Sequence, residues 1–194
     1  VRKSAEKAGV AMDDPCPFGP AAEAAAADGT ASARRVPSLG EVLLTPTRIY
    51  VRSLLPLLRS EAARAGAGPI KALAHITGGG LLENLPRVMP RGSVARLDAS
   101  AWTVPEVFKW VRRAGGGIDP TEMARTFNLG IGMAVVVAPE NAAMVADDLR
   151  GRGETVFRIG RISAADAAAY AGPHGSAAAE PRVVIEGLAE ALDA

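Results

Sequence analysis

The fold is organised around the stretch Lys71-Ala-Leu-Ala-His-Ile-Thr-Gly-Gly-Gly-Leu-Leu-Glu-Asn-Leu-Pro86, in which a short apolar segment passes through three glycines into a new helix. Glycine permits positive φ and lets a ligand approach the backbone closely. The N–H groups at the start of a helix attract an anion. This junction therefore predicts an anion-binding loop at Gly78, Gly79 and Gly80, and a plain turn is the alternative.

Polar side chains flank the three glycines on both sides. His75 is either a core histidine satisfied by a carbonyl, or an imidazole that transfers a proton or stabilises charge on a bound anion. Thr77 either bonds its own turn or donates to a phosphate. Glu83 suits the first helical turn because a carboxylate is favoured there by the helix dipole. Asn84, one residue further on, has no such simple structural explanation.

Two arginines near predicted helix ends, Arg48 and Arg87, are candidates for binding phosphate or carboxylate through the planar guanidinium. A solvated surface arginine is the alternative for each.

A second loop runs Thr126-Phe-Asn-Leu-Gly-Ile-Gly132 and leads into an apolar β-branched run. It places the Thr126 hydroxyl, the Asn128 amide and Gly130 at the mouth of a predicted central strand, where they would face the first loop. The alternative is an ordinary helix-to-strand turn in which Asn128 takes the left-handed conformation.

Composition limits the classes of function. The 194 residues are 48% hydrophobic and suit one domain with an appended segment. The formal net charge is +1, from 22 basic and 21 acidic residues, which argues against nucleic acid or a membrane surface as partner. One cysteine, Cys16, and two histidines are too few for a zinc site, and no metal site is predicted. Since a signal peptide and a transmembrane run are both lacking, a reducing, cytoplasmic location is expected.

Hydrophobic periodicity predicts alternating strands and helices, with alanine-rich insertions at 21–33 and 164–180. Threonine caps are expected at Thr45 or Thr47 and at Thr103, and an Asp119 cap with a capping box at Glu122. The order indicates an α/β (α+β) layered domain around one mixed sheet with helices on both sides. The predicted strands span 70–76, 93–98, 133–137, 155–159 and 182–186.

Several motifs together resemble phosphoribosylformylglycinamidine cyclo-ligase, also called aminoimidazole ribonucleotide synthetase. They follow the order of that family and include Trp102, Asp14-Pro-Cys-Pro17, Leu43-Leu-Thr-Pro-Thr-Arg-Ile-Tyr-Val51, Ala74-His-Ile-Thr-Gly-Gly-Gly80, Glu83-Asn-Leu-Pro-Arg-Val88, Pro105-Glu-Val-Phe108, Glu122-Met-Ala-Arg-Thr-Phe-Asn-Leu-Gly-Ile-Gly-Met133 and Arg182-Val-Val-Ile-Glu186.

The resemblance covers only the carboxy-terminal half of that enzyme. It implies a connector, helix stub and insertion at 1–44 and a carboxy-terminal domain at 45–194, while the amino-terminal ATP-binding domain has no counterpart in this sequence. The opening residues, which lack methionine, look like a piece of a longer chain. The implied fold is an α/β/α layering around a mixed sheet.

The resemblance also implies a reaction. ATP activates the formyl oxygen of formylglycinamidine ribonucleotide as an iminophosphate, and ring closure gives aminoimidazole ribonucleotide in purine biosynthesis. ATP and Mg²⁺ would be bound mainly by the amino-terminal domain, and the full-length enzyme would be a homodimer. This chain alone is predicted to be inactive.

The resemblance suggests roles for the polar candidates. His75 and Asn84 would be catalytic. The binding residues would be Thr77, Gly78, Gly79, Gly80, Arg48, Arg87, Thr126, Asn128 and Gly130.

Related ATP-using enzymes share this architecture, among them formylglycinamidine ribonucleotide synthase, selenophosphate synthetase and thiamine-monophosphate kinase. A non-catalytic assembly module is a further alternative. It would be favoured if the two glycine-bearing loops lay on opposite faces of the fold, and disfavoured if they converged on one cleft.

Overall fold

A computed structural model describes residues 1–19, 36–164 and 182–194. The predicted insertions at 21–33 and 164–180 lie outside these ranges apart from Ala164, as does His174. The α-helices of the described residues are α1 Arg2–Ala8, α2 Leu39–Leu43, α3 Val51–Leu58, α4 Glu61–Arg64, α5 Gly80–Asn84, α6 Glu106–Ala114, α7 Pro120–Thr126, α8 Ala142–Gly151 and α9 Leu188–Asp193. Short 3-10 turns cover Pro86–Val88, Ala99–Ala101 and Pro139–Asn141. None of these helices has both the length and the apolar character needed to cross a membrane.

The strands confirm the mixed α/β class, although they form two sheets where one was expected. They are β1 Ile70–His75, β2 Ser93–Asp98, β3 Met133–Val137, β4 Gly160–Ala164 and β5 Arg182–Glu186. The mixed sheet has the order β4-β2-β5, with β4 antiparallel and β5 parallel to β2. The second sheet is the antiparallel pair β1-β3.

The apolar run of β3 was predicted to be a central strand, but within the described residues it pairs with β1 alone. Its apolar character comes from burial on both faces. Ala134 and Val136 pack into the main core, whereas Met133, Val135 and Val137 pack on a second cluster. The buried members of this second cluster come from α3 and α8 and are Leu54, Leu57, Val145 and Leu149.

The strand predicted at 155–159 is wrong, because β4 begins only at Gly160. A side chain at position 160 would overlap the carbonyl of Arg96 on β2, so glycine is needed where the two strands first pair. Before that point, the Arg150 Nη2 donates to the carbonyl of Val156 over 3.0 Å and keeps the segment near the end of α8.

The aspartate cap of α7 is confirmed, because Asp119 Oδ1 accepts from the backbone N–H of Thr121 at 2.8 Å and of Glu122 at 3.2 Å. The capping box is not formed. The Glu122 carboxylate pairs with Arg125 one turn further along instead.

The predicted threonine caps are wrong. The helix α6 begins after Pro105 rather than at Thr103, and α3 begins after Tyr50 rather than at Thr45 or Thr47. The residue before a proline is sterically biased away from helical angles, which explains why α6 does not begin before Pro105.

The predicted connector at 1–44 joins the main core through Ala5 and Leu39, which are 1% and 0% exposed. A bridge between Pro15 and Ser38 holds two parts of this segment together.

Candidate functional site

The pair β1-β3 brings the two predicted loops together. β1 ends at His75, whose partner in the ladder is Met133 at the start of β3. One further bond, from the N–H of Ile76 to the carbonyl of Gly132 over 3.0 Å, continues the pairing beyond the strands. The glycine loop, residues 77–80, therefore starts where the asparagine loop, residues 128–132, ends.

A polar cleft of about 420 Å³ opens beside this junction. Its walls are the segment 45–50, which has no regular secondary structure, the end of β1 and the asparagine loop. Five of the predicted site residues line it, namely Arg48, His75, Thr77, Asn128 and Gly130.

A smaller aromatic cleft of about 190 Å³ adjoins the polar cleft. It is lined by Phe108, Phe127 and the predicted residue Thr126, and it shares Thr77 and Asn128 with the polar cleft. The two phenylalanine rings lie 5.6 Å apart, tilted by 47°. The two loops thus converge on one continuous depression.

The remaining predicted residues do not line either cleft. Gly78, Gly79, Gly80 and Asn84 lie behind Thr77, and Arg87 lies on the exposed surface of the 3-10 turn that follows α5.

Asn84 is 5% exposed, and its side chain bonds the glycine loop from the protein interior. Its Nδ2 donates to the carbonyls of Gly80 at 2.8 Å, Gly78 at 3.1 Å and Thr77 at 3.4 Å. An amide held by several loop carbonyls fixes the loop's conformation, and this geometry supports a positioning role for Asn84.

Gly79 and Gly80 are needed for the backbone conformation and close packing of the glycine loop. Gly79 and Gly80 have φ values of 99° and 55°, and a Cβ at position 80 would lie 2.7 Å from the carbonyl oxygen of Phe127. The N–H of Gly80 already donates to the carbonyl of Thr77 at 3.0 Å. Since the Glu83 carboxylate also folds over Gly79, the short helix α5 does not present a clear anion site at its start.

The asparagine loop is a strained turn, but the left-handed residues are Leu129 and Gly130, with φ of 49° and 96°, rather than Asn128. Asn128 Oδ1 accepts from the N–H of Gly130 at 3.0 Å. Leu129 is fully buried, and its carbonyl accepts from the indole of Trp102 at 3.0 Å. These contacts hold the loop in place at the edge of the cleft.

Arg48 is tied to the chain that follows α8. Its Nε lies 2.8 Å from the Glu154 carboxylate, and its Nη2 donates to the carbonyl of Gly153 at 2.9 Å. The Ser53 hydroxyl donates to the same carboxylate. Glu154, with a side chain only 12% exposed, therefore anchors the wall 45–50 of the polar cleft.

Tyr50 lines the polar cleft and is not among the predicted site residues, because in sequence its i, i+4, i+7 spacing with Leu54 and Leu57 is that of an apolar helix face. Its ring meets the His75 imidazole edge to face, with centroids 6.1 Å apart at 74°. Burial raises the pKa of the Tyr50 phenol, the Glu154 carboxylate raises it further, and the Arg48 guanidinium lowers it in part. The phenol is therefore neutral at physiological pH.

The polar cleft offers hydrogen-bond donors of several kinds: the hydroxyls of Thr45, Thr47, Thr77 and Tyr50, the Asn128 amide, the His75 imidazole and the Arg48 guanidinium. Such a set suits an oxyanion that must be oriented and stabilised. Over the described ranges, no three His, Cys, Asp or Glu side chains lie close enough to hold a metal ion.

A protein-family model described as "AIR synthase related protein, C-terminal domain" matches residues 19–171, which is well over half of the 194 residues. The match includes β1 to β4, both glycine-bearing loops and every residue of the two clefts. On this evidence the chain belongs to the AIR synthase-related family and carries its carboxy-terminal domain.

Proposed function

We propose that this chain is the carboxy-terminal part of a phosphoribosylformylglycinamidine cyclo-ligase, which closes the imidazole ring of aminoimidazole ribonucleotide at the expense of ATP. The family consists of ATP-using enzymes. The observation that carries the proposal is the convergence of the glycine loop and the asparagine loop on one depression, where Thr77 and Asn128 line both clefts. This convergence also counts against the non-catalytic alternative.

The reaction requires positioning and charge stabilisation more than a protein nucleophile. An internal nitrogen of the substrate attacks the activated formyl carbon, the carbon–oxygen bond breaks with loss of phosphate, and the nitrogen gives up a proton. We assign that proton to His75, which is exposed at the end of β1 and lines the polar cleft. Proton transfer by a positioned side chain typically contributes a factor of about 10² to 10⁴.

The other donors of the depression would bind the leaving phosphate. Thr77 and Arg48 line the polar cleft, and Thr126 and Asn128 line the aromatic cleft beside it. Asn84 contributes indirectly, because it fixes the glycine loop and with it the direction of Thr77.

Nucleotide and Mg²⁺ binding are assigned to an amino-terminal domain outside this sequence, which would also form the homodimer interface.

The direct test is phosphate release from ATP in the presence of formylglycinamidine ribonucleotide. The measurement is made on this chain alone and after addition of a separately prepared amino-terminal half. We expect turnover only in the mixture. If both halves are folded and associated and the mixture still releases no phosphate, the cyclo-ligase assignment is wrong.

The role of His75 is tested in the active mixture. His75→Ala should lower the rate of ring closure by about 10² or more, because the proton acceptor is lost. His174→Ala, at the only other histidine of the chain, is the matched control and should leave the rate within about twofold. Equal rates for wild type and His75→Ala would remove His75 from the mechanism.

A further inference from the structure

Tyr50 combines three features that the proposed reaction does not yet use. It lines the polar cleft, it contacts His75, and its hydroxyl lies against Gly132. No described residue accepts from or donates to this hydroxyl, and it is not one of the fully buried atoms, so it is open to a ligand in the cleft.

Gly132 is fitted to this arrangement. A Cβ at position 132 would overlap the phenol oxygen of Tyr50, although the backbone of Gly132 does not have a positive φ. A side chain at position 132 would therefore displace the phenol, whereas the turn itself does not need glycine. The fit indicates that the place of the hydroxyl in the cleft is specified.

The surroundings also fix the ring. Tyr50 precedes α3, where Ser53 is bonded to Glu154, and it follows Arg48, which is paired with the same carboxylate. The charged or titratable groups around the phenol are thus Arg48, Glu154 and His75. Since burial and the carboxylate both raise the pKa of Tyr50, the hydroxyl keeps its proton and acts as a donor.

We propose that the Tyr50 hydroxyl donates a hydrogen bond to an anionic phosphate oxygen of the ligand in the polar cleft, and that Gly132 determines whether this contact can form. The inference rests on the proposed function only in taking the polar cleft as the place of the leaving phosphate. It adds a substrate-contacting residue on the wall opposite the glycine loop.

Inorganic phosphate is the probe, and its affinity is measured by equilibrium titration at neutral pH with the full chain. Tyr50→Phe removes the hydroxyl and keeps the ring against His75. We expect phosphate to bind about tenfold more weakly, the usual effect of losing one bond to a charged group. Tyr170→Phe, at the only other tyrosine, is the control and should bind as wild type does.

Gly132→Ala gives a second route to the same result. The new methyl group would push the phenol aside, so phosphate affinity should fall at least as far as in Tyr50→Phe. Both variants are compared by their unfolding midpoints, so that a general loss of structure is distinguished from loss of one contact.

The outcomes separate this inference from the proposed function. Equal phosphate affinity in wild type and Tyr50→Phe, or no phosphate binding by wild type, would overturn the contact. Weaker binding by Tyr50→Phe together with no ring closure in the two-part mixture would support the contact and reject the cyclo-ligase reaction.

Discussion

The glycine loop and the asparagine loop meet at one cleft but are stabilised in opposite ways. The glycine loop is held from within, since the Asn84 amide bonds three of its carbonyls and Gly80 packs against the end of α7. The asparagine loop has one side-chain bond of its own, from the N–H of Gly130 to Asn128 Oδ1, and is otherwise held from without, by the Trp102 indole on Leu129 and by Pro105 against Gly130.

This difference shows that a run of glycines need not be the part of a loop that faces a ligand. In the glycine loop the glycines satisfy packing, and the side chain that reaches the cleft is the flanking Thr77. In the asparagine loop, Asn128 and Gly130 themselves line the cleft.

The largest effect is expected from Gly80→Ala. The new Cβ would collide with the carbonyls of Ala124 and Phe127, at a residue with φ of 55°. We expect the free energy of unfolding to fall by about 3 kcal/mol or more, as measured by chemical denaturation. Gly78→Ala is the control in the same loop, because a Cβ there meets nothing within 4 Å, and it should cost well under about 1 kcal/mol. Equal losses would show that the glycine loop is not held by this contact.

Asn84→Ala should have the next largest effect. It leaves the buried carbonyl of Gly80 and the part-buried carbonyl of Gly78 without this donor, which should lower the free energy of unfolding by about 2 to 3 kcal/mol. Asn141→Ala is a suitable comparison, since Asn141 precedes α8 and makes no side-chain cap bond. An Asn84→Ala protein as stable as Asn141→Ala would contradict the internal support.

Trp102→Phe tests the external support of the asparagine loop. Loss of the indole bond to Leu129 should cost about 1 to 2 kcal/mol of unfolding free energy. Trp110→Phe removes another buried indole, which packs near Phe18 and has no bond to either loop. Amide NMR shifts of residues 128–132 should therefore change in Trp102→Phe only, and similar shifts in both variants would refute this support.

The smallest effect on stability is expected at Asp98, which begins the turn leading to Trp102. Two bonds from Ser100, side chain first and backbone second, hold the pKa of Asp98 below its ordinary value of 3.8. A depressed carboxyl pKa adds stability above the unfolded-state pKa, and that contribution is lost as the pH falls through the folded-state pKa.

Ser100→Ala should return the pKa of Asp98 towards its ordinary value and reduce this acid sensitivity. The measurement is a carboxyl NMR titration between about pH 2 and pH 6, a range chosen around the ordinary aspartate pKa. An unchanged pKa would mean that the backbone bond alone fixes the Asp98 carboxylate.

Much of the fold could be predicted because its signals are local. Apolar runs gave four of the five strands, and the Asp119-Pro pair gave the start of α7. The division into two sheets could not be predicted. A continuous apolar run such as β3 fits a central strand, and it fits equally well a strand of a two-stranded sheet that has the main core on one face and helices on the other. That choice depends on α3 and α8, which lie far away in sequence.

The site shows the same division. His75, Thr77 and Asn128 lie next to turn signals, and the structure places them together. Tyr50 was hidden within an apolar helix pattern, since its contacts with His75 and Gly132 are long-range. Asn84 is the opposite case. It is conspicuous in the sequence as a polar residue, but its side chain bonds the glycine loop and does not line the cleft.

The added bond from Ile76 to Gly132 has a consequence for how the site can vary. Because the loops leave from paired ends of two antiparallel strands, their spacing is set by the distance between neighbouring strands, about 5 Å. Backbone hydrogen bonding thus fixes the distance between the two loops that border the cleft. Side chains around the cleft can change in size and charge and so alter which molecule binds best. The distance between the glycine loop and the asparagine loop stays the same.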